Sequence, residues 1–125
     1  MWFDQFNHDY FGEELPRPRF VLSRSKTRLG SMACKKLIRK GRMEYFDYSI
    51  HMSNYYEQTE RQFQNVLLHE MIHYFIAYMG KKDTSPHGVV FRGMMDSFNH
   101  KYGWEMSVMT STRNVKVAEN MKPDQ

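Results

Sequence analysis

The sequence predicts a single α+β domain: an N-terminal helix, a small three-stranded sheet of antiparallel type, a buried central helix and a following amphipathic helix. In Met43–Met52 apolar and polar residues alternate, which is the period of a half-covered strand. From Thr59 to Gly80 apolar residues crowd a helix on nearly all sides. At 125 residues, 41% hydrophobic and 15% aromatic, the chain can fill one core and not comfortably two.

The elements follow in order. Trp2, Phe3, Phe6, Tyr10 and Phe11 have mostly helical spacing, so Met1–Phe11 is expected to form an aromatic-faced helix, ended by Gly12 and the Pro16/Pro18 pair. Phe20–Ser23 reads as a short strand, and Arg28–Ser31 as a turn or bulge. Met32–Arg39 and Met43–Met52 read as a hairpin turning at Lys40-Gly41-Arg42. In its second strand Phe46, Tyr48, Ile50 and Met52 are expected on one face, with Asp47, Ser49 and His51 on the other. Thr59 and Gln62 have capping-box spacing at the start of the central helix, and Gly80 is its natural stop. Ser85-Pro86 reads as N-cap and first turn of the last helix, whose apolar side carries Val90, Phe91, Met94, Met95, Phe98 and Tyr102. Past Trp104 the chain turns polar. Residues 105–125 read as a tail with a doubtful core role, in which Met106–Met109 is a candidate edge strand.

Composition narrows the function. No run approaches the roughly 20 apolar residues that cross a bilayer, and Met1-Trp2-Phe3-Asp4 lacks a signal pattern. The lone Cys34 excludes an internal disulfide and a cysteine-cluster metal site, so a reducing, cytoplasmic compartment is expected, with no membrane partner. The net charge of +4 is unevenly spread. Ten Lys/Arg and no acid lie between Arg17 and Arg42, leaving eight basic against fourteen acidic residues elsewhere.

Chemistry concentrates on the central helix, where His69-Glu70-Met71-Ile72-His73 has the H-E-x-x-H pattern. Residues four apart stack on one helix face, so both imidazoles can reach one metal ion. Glu70, one step round, is placed to accept a proton from an activated water. Buried without partners, three such groups would cost several kcal/mol. A metal supplies the partner, and a third ligand from beyond the helix would leave the fourth position open. Asp83, His87, Asp96, His100 and Glu105 are the downstream candidates. His87 is best placed, because Ser85-Pro86-His87-Gly88 lies where the returning chain passes the first helix. His8, His51 and His100 read as ordinary surface or hydrogen-bonded histidines.

Phe6-Asn7, Tyr10-Phe11, Leu15-Pro16, Leu29-Gly30, Ile50-His51-Met52-Ser53, Val66–His73, His87-Gly88 and Phe91 together resemble the SprT-like metalloprotease domain, the family of bacterial SprT and the animal protease Spartan. The resemblance spans about Phe6 to Gly103. Thirteen residues separate His73 from His87, unlike the five, with a glycine between, that precede the third histidine of metzincins. The resemblance implies a zincin-like fold in residues 1–104, with Zn2+ held by His69, His73 and His87 and with Glu70 as general base. Many bacterial relatives add a Cys-rich zinc ribbon, for which the 105–125 tail has no cysteines. The implied activity is hydrolysis of peptide bonds in protein substrates, and Spartan acts on proteins trapped covalently on DNA. Arg92, Tyr74 and Tyr78 are the candidates for an oxyanion-stabilising group.

The basic stretch adds a second expectation. Arg24, Lys26, Arg28, Lys35, Lys36, Arg39, Lys40 and Arg42 can track nucleic-acid phosphates, single- or double-stranded, with Tyr45 and Phe46 offering stacking surfaces. The alternatives are a charged, solvated sheet face that resists aggregation, and a metal-stabilised nucleic-acid or protein-binding module with little proteolytic activity.

Overall fold

The structure is a computed structural model and describes residues 1–108, 115–118 and 121. Among them the elements run α1 (Trp2–Tyr10), β1 (Arg19–Ser23), β2 (Gly30–Arg39), β3 (Arg42–Ser53), β4 (Tyr56–Glu57), α2 (Glu60–Tyr78), α3 (Val89–Tyr102) and β5 (Lys116–Val117). The fold is α+β, as the residue pattern predicts.

In α1 the aromatic spacing buries Phe3 and Phe6. Asn7, also buried, closes the turn that follows. Its amide donates to the Leu15 carbonyl (2.8 Å) and its side-chain oxygen accepts the Leu15 N–H (3.1 Å). Both polar ends of the buried amide are thereby satisfied.

The sheet has the order β1-β3-β2. β2 and β3 form the expected antiparallel hairpin, but β1 runs parallel to β3, so the sheet is mixed rather than antiparallel. Residues 24–29 make this possible by passing over the end of β3. There Ser53 N–H donates to the Leu29 carbonyl (2.9 Å), the Ser53 hydroxyl to the Ser25 carbonyl (2.8 Å), and Asn54 N–H to the Ser23 carbonyl (2.9 Å). Successive strands usually pair, and local pattern carries no sign that a third strand is inserted between two others.

A bulge changes the expected face assignment in β3. Ala33 pairs with Ser49 and Lys35 with Phe46, so two residues along β2 are matched by three along β3. Asp47 takes φ 51° there, held by Arg19 (2.9 Å) and Lys35 (3.2 Å). Hydrogen bonds from Arg19 and then Lys35 keep its carboxyl below the ordinary range. Because the bulge shifts the alternation by one, Phe46 shares a face with Ala33, Lys35 and Ser49, not with Ile50. Beyond it every residue from 35 to 46 is exposed, so the hairpin end projects as an arm.

α2 begins where the sequence places it, with both halves of the capping box formed: Gln62 N–H to Thr59 Oγ1 (3.1 Å) and Thr59 N–H to Gln62 Oε1 (2.8 Å). It ends at Gly80, whose φ of 67° lets Gly80 and Lys81 N–H reach the Ala77 and Ile76 carbonyls. Leu68, Met71 and Ile72 are fully enclosed, each contributing about 1.5–3 kcal/mol of burial. The helix packs on β2 and β3 and also on α3.

α3 starts at Gly88 rather than at Ser85-Pro86, which lie in the preceding loop. Asp83 supplies the capping oxygens that Ser85 was expected to provide. Past α3, Trp104 and Met106 are buried in the core, contrary to the polar look of the segment. Asn99 holds Met106 through both ends of its amide (2.8 and 2.9 Å). Residues 106–108 form no strand and Met109 lies outside the described residues. β5, not foreseen, pairs antiparallel with β4.

Candidate metal centre

α2 carries His69, Glu70 and His73 at the turn spacing that places both imidazoles on one face. His69 and Glu70 are buried (4% exposed each) and His73 is partly buried. Burial arises because this face lies under the start of β2, α3 and the segment past Trp104. The loop after α2 returns His87 to the same place. One nitrogen from each of the three rings lies within 4.8 Å of the others, the one such group of three or more potential ligands among the described residues.

The geometry fits a divalent cation. Nitrogens sharing an ion at about 2.1 Å in a tetrahedron stand about 3.4 Å apart. His73 Nε2 and His87 Nε2 are 3.1 Å apart. His69 Nδ1 meets the Ser107 carbonyl at 3.1 Å, which calls for the Nδ1–H tautomer and leaves Nε2 as the nitrogen that could reach an ion. Phe91, fully buried, lies nearly parallel to His73 (4.3 Å between centroids) and also contacts the His69 and His87 rings at 4.8 and 5.0 Å.

The electrostatics suit ligation, which requires neutral imidazole. Burial, followed by the His87 charge, pushes His69 down to about 4. Burial and the neighbouring His69 and His87 push His73 down to about 3. His87 is also lowered, by burial and then Arg92. Glu70 moves the other way: burial pushes its carboxyl up to about 7, opposed by the Arg28 charge.

The site opens into a cavity of about 510 Å³ whose walls include Arg28, Gly30–Met32 of β2, Pro86 and Val108. Gly30 is packed so closely on α2 that a Cβ there would lie 2.8 Å from Val66 Cγ1 and 3.2 Å from Glu70 Oε2.

The remaining ligand candidates are elsewhere. Asp83 accepts backbone N–H groups, Asp96 and His100 are exposed on α3, and Glu105 faces Arg61. His8 pairs with Glu13 and His51 with Ser49. Of the oxyanion candidates, Tyr74 donates to the Pro16 carbonyl (2.7 Å), Tyr78 packs on Tyr48 and Tyr74, and Arg92 donates to the His87 carbonyl (2.8 Å). None of the three lines the cavity; Arg28 does.

The basic stretch is therefore divided. Lys35, Lys36, Arg39, Lys40 and Arg42 lie on the projecting arm, Arg24 and Lys26 on the 24–29 loop, and Arg28 at the metal cavity. On the arm, Lys35 is paired with Asp47 and Arg39 approaches Glu44 at 3.8 Å, while Lys36 lies over the Tyr45 ring (5.9 Å). Lys26 lies over Tyr55 (5.6 Å).

Ser107, Gly30 and the capping role of Asp83 escape sequence reading. Of these only Gly30 carries a sequence signal, as the glycine of the Arg28–Ser31 turn or bulge. Among the described residues no helix is long and apolar enough to cross a membrane. No curated protein matches the sequence. The profile of the SprT-like family matches residues 1–117, a span that covers the histidine cluster, Glu70 and Ser107. The chain belongs to the SprT-like family.

Proposed function

We propose that the protein is a zinc-dependent metallopeptidase. The observation that carries this reading is the convergence of three imidazoles within 4.8 Å of one another, with the buried Glu70 side chain beside them at a cavity. His69, His73 and His87 would hold the ion. When bound, zinc supplies Lewis-acid polarisation of a water and of the scissile carbonyl.

The chain's own residues supply the rest. Glu70 accepts the proton of the attacking water on its carboxylate and passes it to the departing amine. Gly30, lacking a Cβ, leaves the space in which that carboxylate stands. Arg28 offers a positive charge for the oxygen that becomes negative as the carbonyl is attacked. β2 is the outer strand on the cavity side, and its Gly30–Met32 backbone offers hydrogen bonds to an extended substrate peptide.

The exposed arm supports association with DNA, and through it proteolysis of DNA-bound protein. Five basic residues there are interspersed with Leu37, Ile38, Met43, Tyr45 and Phe46, and Ile38 is 67% exposed. Such a ribbon suits phosphate contacts with ring stacking on bases. Metal content and cleavage of an unfolded protein substrate, measured for the wild type and Glu70→Gln, test the peptidase reading. The variant is expected to keep the metal and lose cleavage. Equal cleavage by both proteins removes Glu70 from the chemistry.

A further inference from the structure

His87 differs from the other two ring donors in having no helix of its own to hold it, and the loop that carries it is closed by one carboxylate. Asp83 Oδ1 accepts the N–H groups of Thr84 (2.7 Å) and Val90 (3.1 Å), and Asp83 Oδ2 accepts that of Phe91 (2.8 Å). The N-cap residue of α3, Gly88, has no side chain with which to do this. Asp83 reaches across from five residues earlier and satisfies donors of the first turn, where a negative charge is also favoured by the helix dipole.

Gly88 is the counterpart of this closure. A Cβ there would fall 2.3 Å from Asp83 Oδ1 and 2.3 Å from Thr84 Oγ1, so the carboxylate is seated directly against the Gly88 backbone. Arg92 Nε donates to the His87 carbonyl (2.8 Å) and so holds the backbone of the same loop. The same first turn carries Phe91, which contacts all three imidazoles.

We propose that Asp83 is a positioning residue for the metal site: by closing the loop onto the first turn of α3, it presents His87 to the ion already ordered. This rests on the metal-binding reading above. Without the clasp, binding has to order the loop as well as form the bond, and affinity falls by that ordering cost. Partners that orient ligands from outside the coordination shell typically alter metal affinity about 10- to 100-fold.

The test is zinc affinity by chelator competition, with the cobalt(II) absorption spectrum as a geometric readout. It is run on the full chain as wild type, Asp83→Ala, Asp83→Asn, His87→Ala and the Asp83→Ala/His87→Ala double variant. Asp83→Ala is expected to weaken zinc binding about 10- to 100-fold. Asp83→Asn, which keeps one accepting oxygen and guards against a folding failure of the alanine variant, is expected to fall between. In the His87→Ala background, removing Asp83 should change affinity by less than about twofold, because the residue acts through the missing ring. Wild-type affinity in both single Asp83 variants, or an equal loss with and without His87, overturns the proposal while leaving the metal reading intact. A wild-type protein that binds no zinc or cobalt overturns both.

Discussion

Gly30 of β2 faces Glu70 of α2 with only the room of an absent side chain between them: a Cβ at position 30 would lie 3.2 Å from both Glu70 Cγ and Glu70 Oε2. A strand backbone therefore sets the position of the proposed general base. No side-chain hydrogen bond between described residues does so.

Gly30→Ala follows directly. The new methyl also meets Val66 Cγ1 at 2.8 Å, so the start of β2 or the Glu70 side chain must move. A displacement of about 1 Å at a reacting group costs on the order of 100-fold in rate. Peptide cleavage is expected to fall by about that factor while zinc affinity, by the same chelator assay, stays within about threefold. Parallel loss of metal would place the effect on the ligands instead.

The raised pKa of Glu70 predicts how the metal-free protein responds to pH. Its folded-state value of about 7 lies above the ordinary 4.5. The protonated form thus contributes stability that is fully present below 4.5 and lost as pH rises through 7. Glu70→Gln cannot ionise, so its thermal midpoint without metal should exceed the wild type's increasingly from pH 5 to pH 8. The ceiling is about 3 kcal/mol at one pKa unit per 1.4 kcal/mol. A constant difference across that range would contradict the burial argument.

His69 and His73 give the opposite slope. Their folded values, about 4 and about 3, lie below the ordinary 6.5. Their neutral forms therefore contribute stability above pH 6.5 that is lost as pH falls toward those values. Denaturant unfolding of the metal-free His69→Gln/His73→Gln variant should show less acid sensitivity between pH 6.5 and 4 than the wild type. Identical acid limbs would mean that the rings are hydrated in the metal-free state.

The arm carries the nucleic-acid reading. Replacing Lys36, Arg39, Lys40 and Arg42 together by serine removes exposed charges and leaves the core untouched. DNA binding measured at several salt concentrations should weaken, with the slope of log K against log salt reduced by about one for each phosphate that the protein no longer neutralises. Cleavage of a DNA-free substrate should not change. Unaltered DNA affinity would remove the arm from the interface.

How much of this was legible in sequence depended on how local the signal was. The cap at Thr59/Gln62, the stop at Gly80 and the His69/Glu70/His73 spacing lie within single helical turns, and all three appear in the structure where the residues place them. His87 is legible among five downstream donors because it lies where the chain returns past the helix. The strand order was not, since nothing within β1 or β3 records that they run side by side. The face of Phe46 is not legible because one residue, Asp47 with positive φ, breaks an alternation that looks continuous in the sequence. Arg28 was hidden among nine other cations, and Ser107 contributes a backbone carbonyl, a group every residue has.

The most direct test of the account is a crystal structure of the zinc-loaded protein with anomalous maps recorded on both sides of the zinc absorption edge. One ion is expected about 2.1 Å from a nitrogen of each of His69, His73 and His87, with His69 Nδ1 still on the Ser107 carbonyl and Glu70 beside the ion without ligating it. An ion held without His87, or zinc bound only elsewhere on the chain, would contradict it.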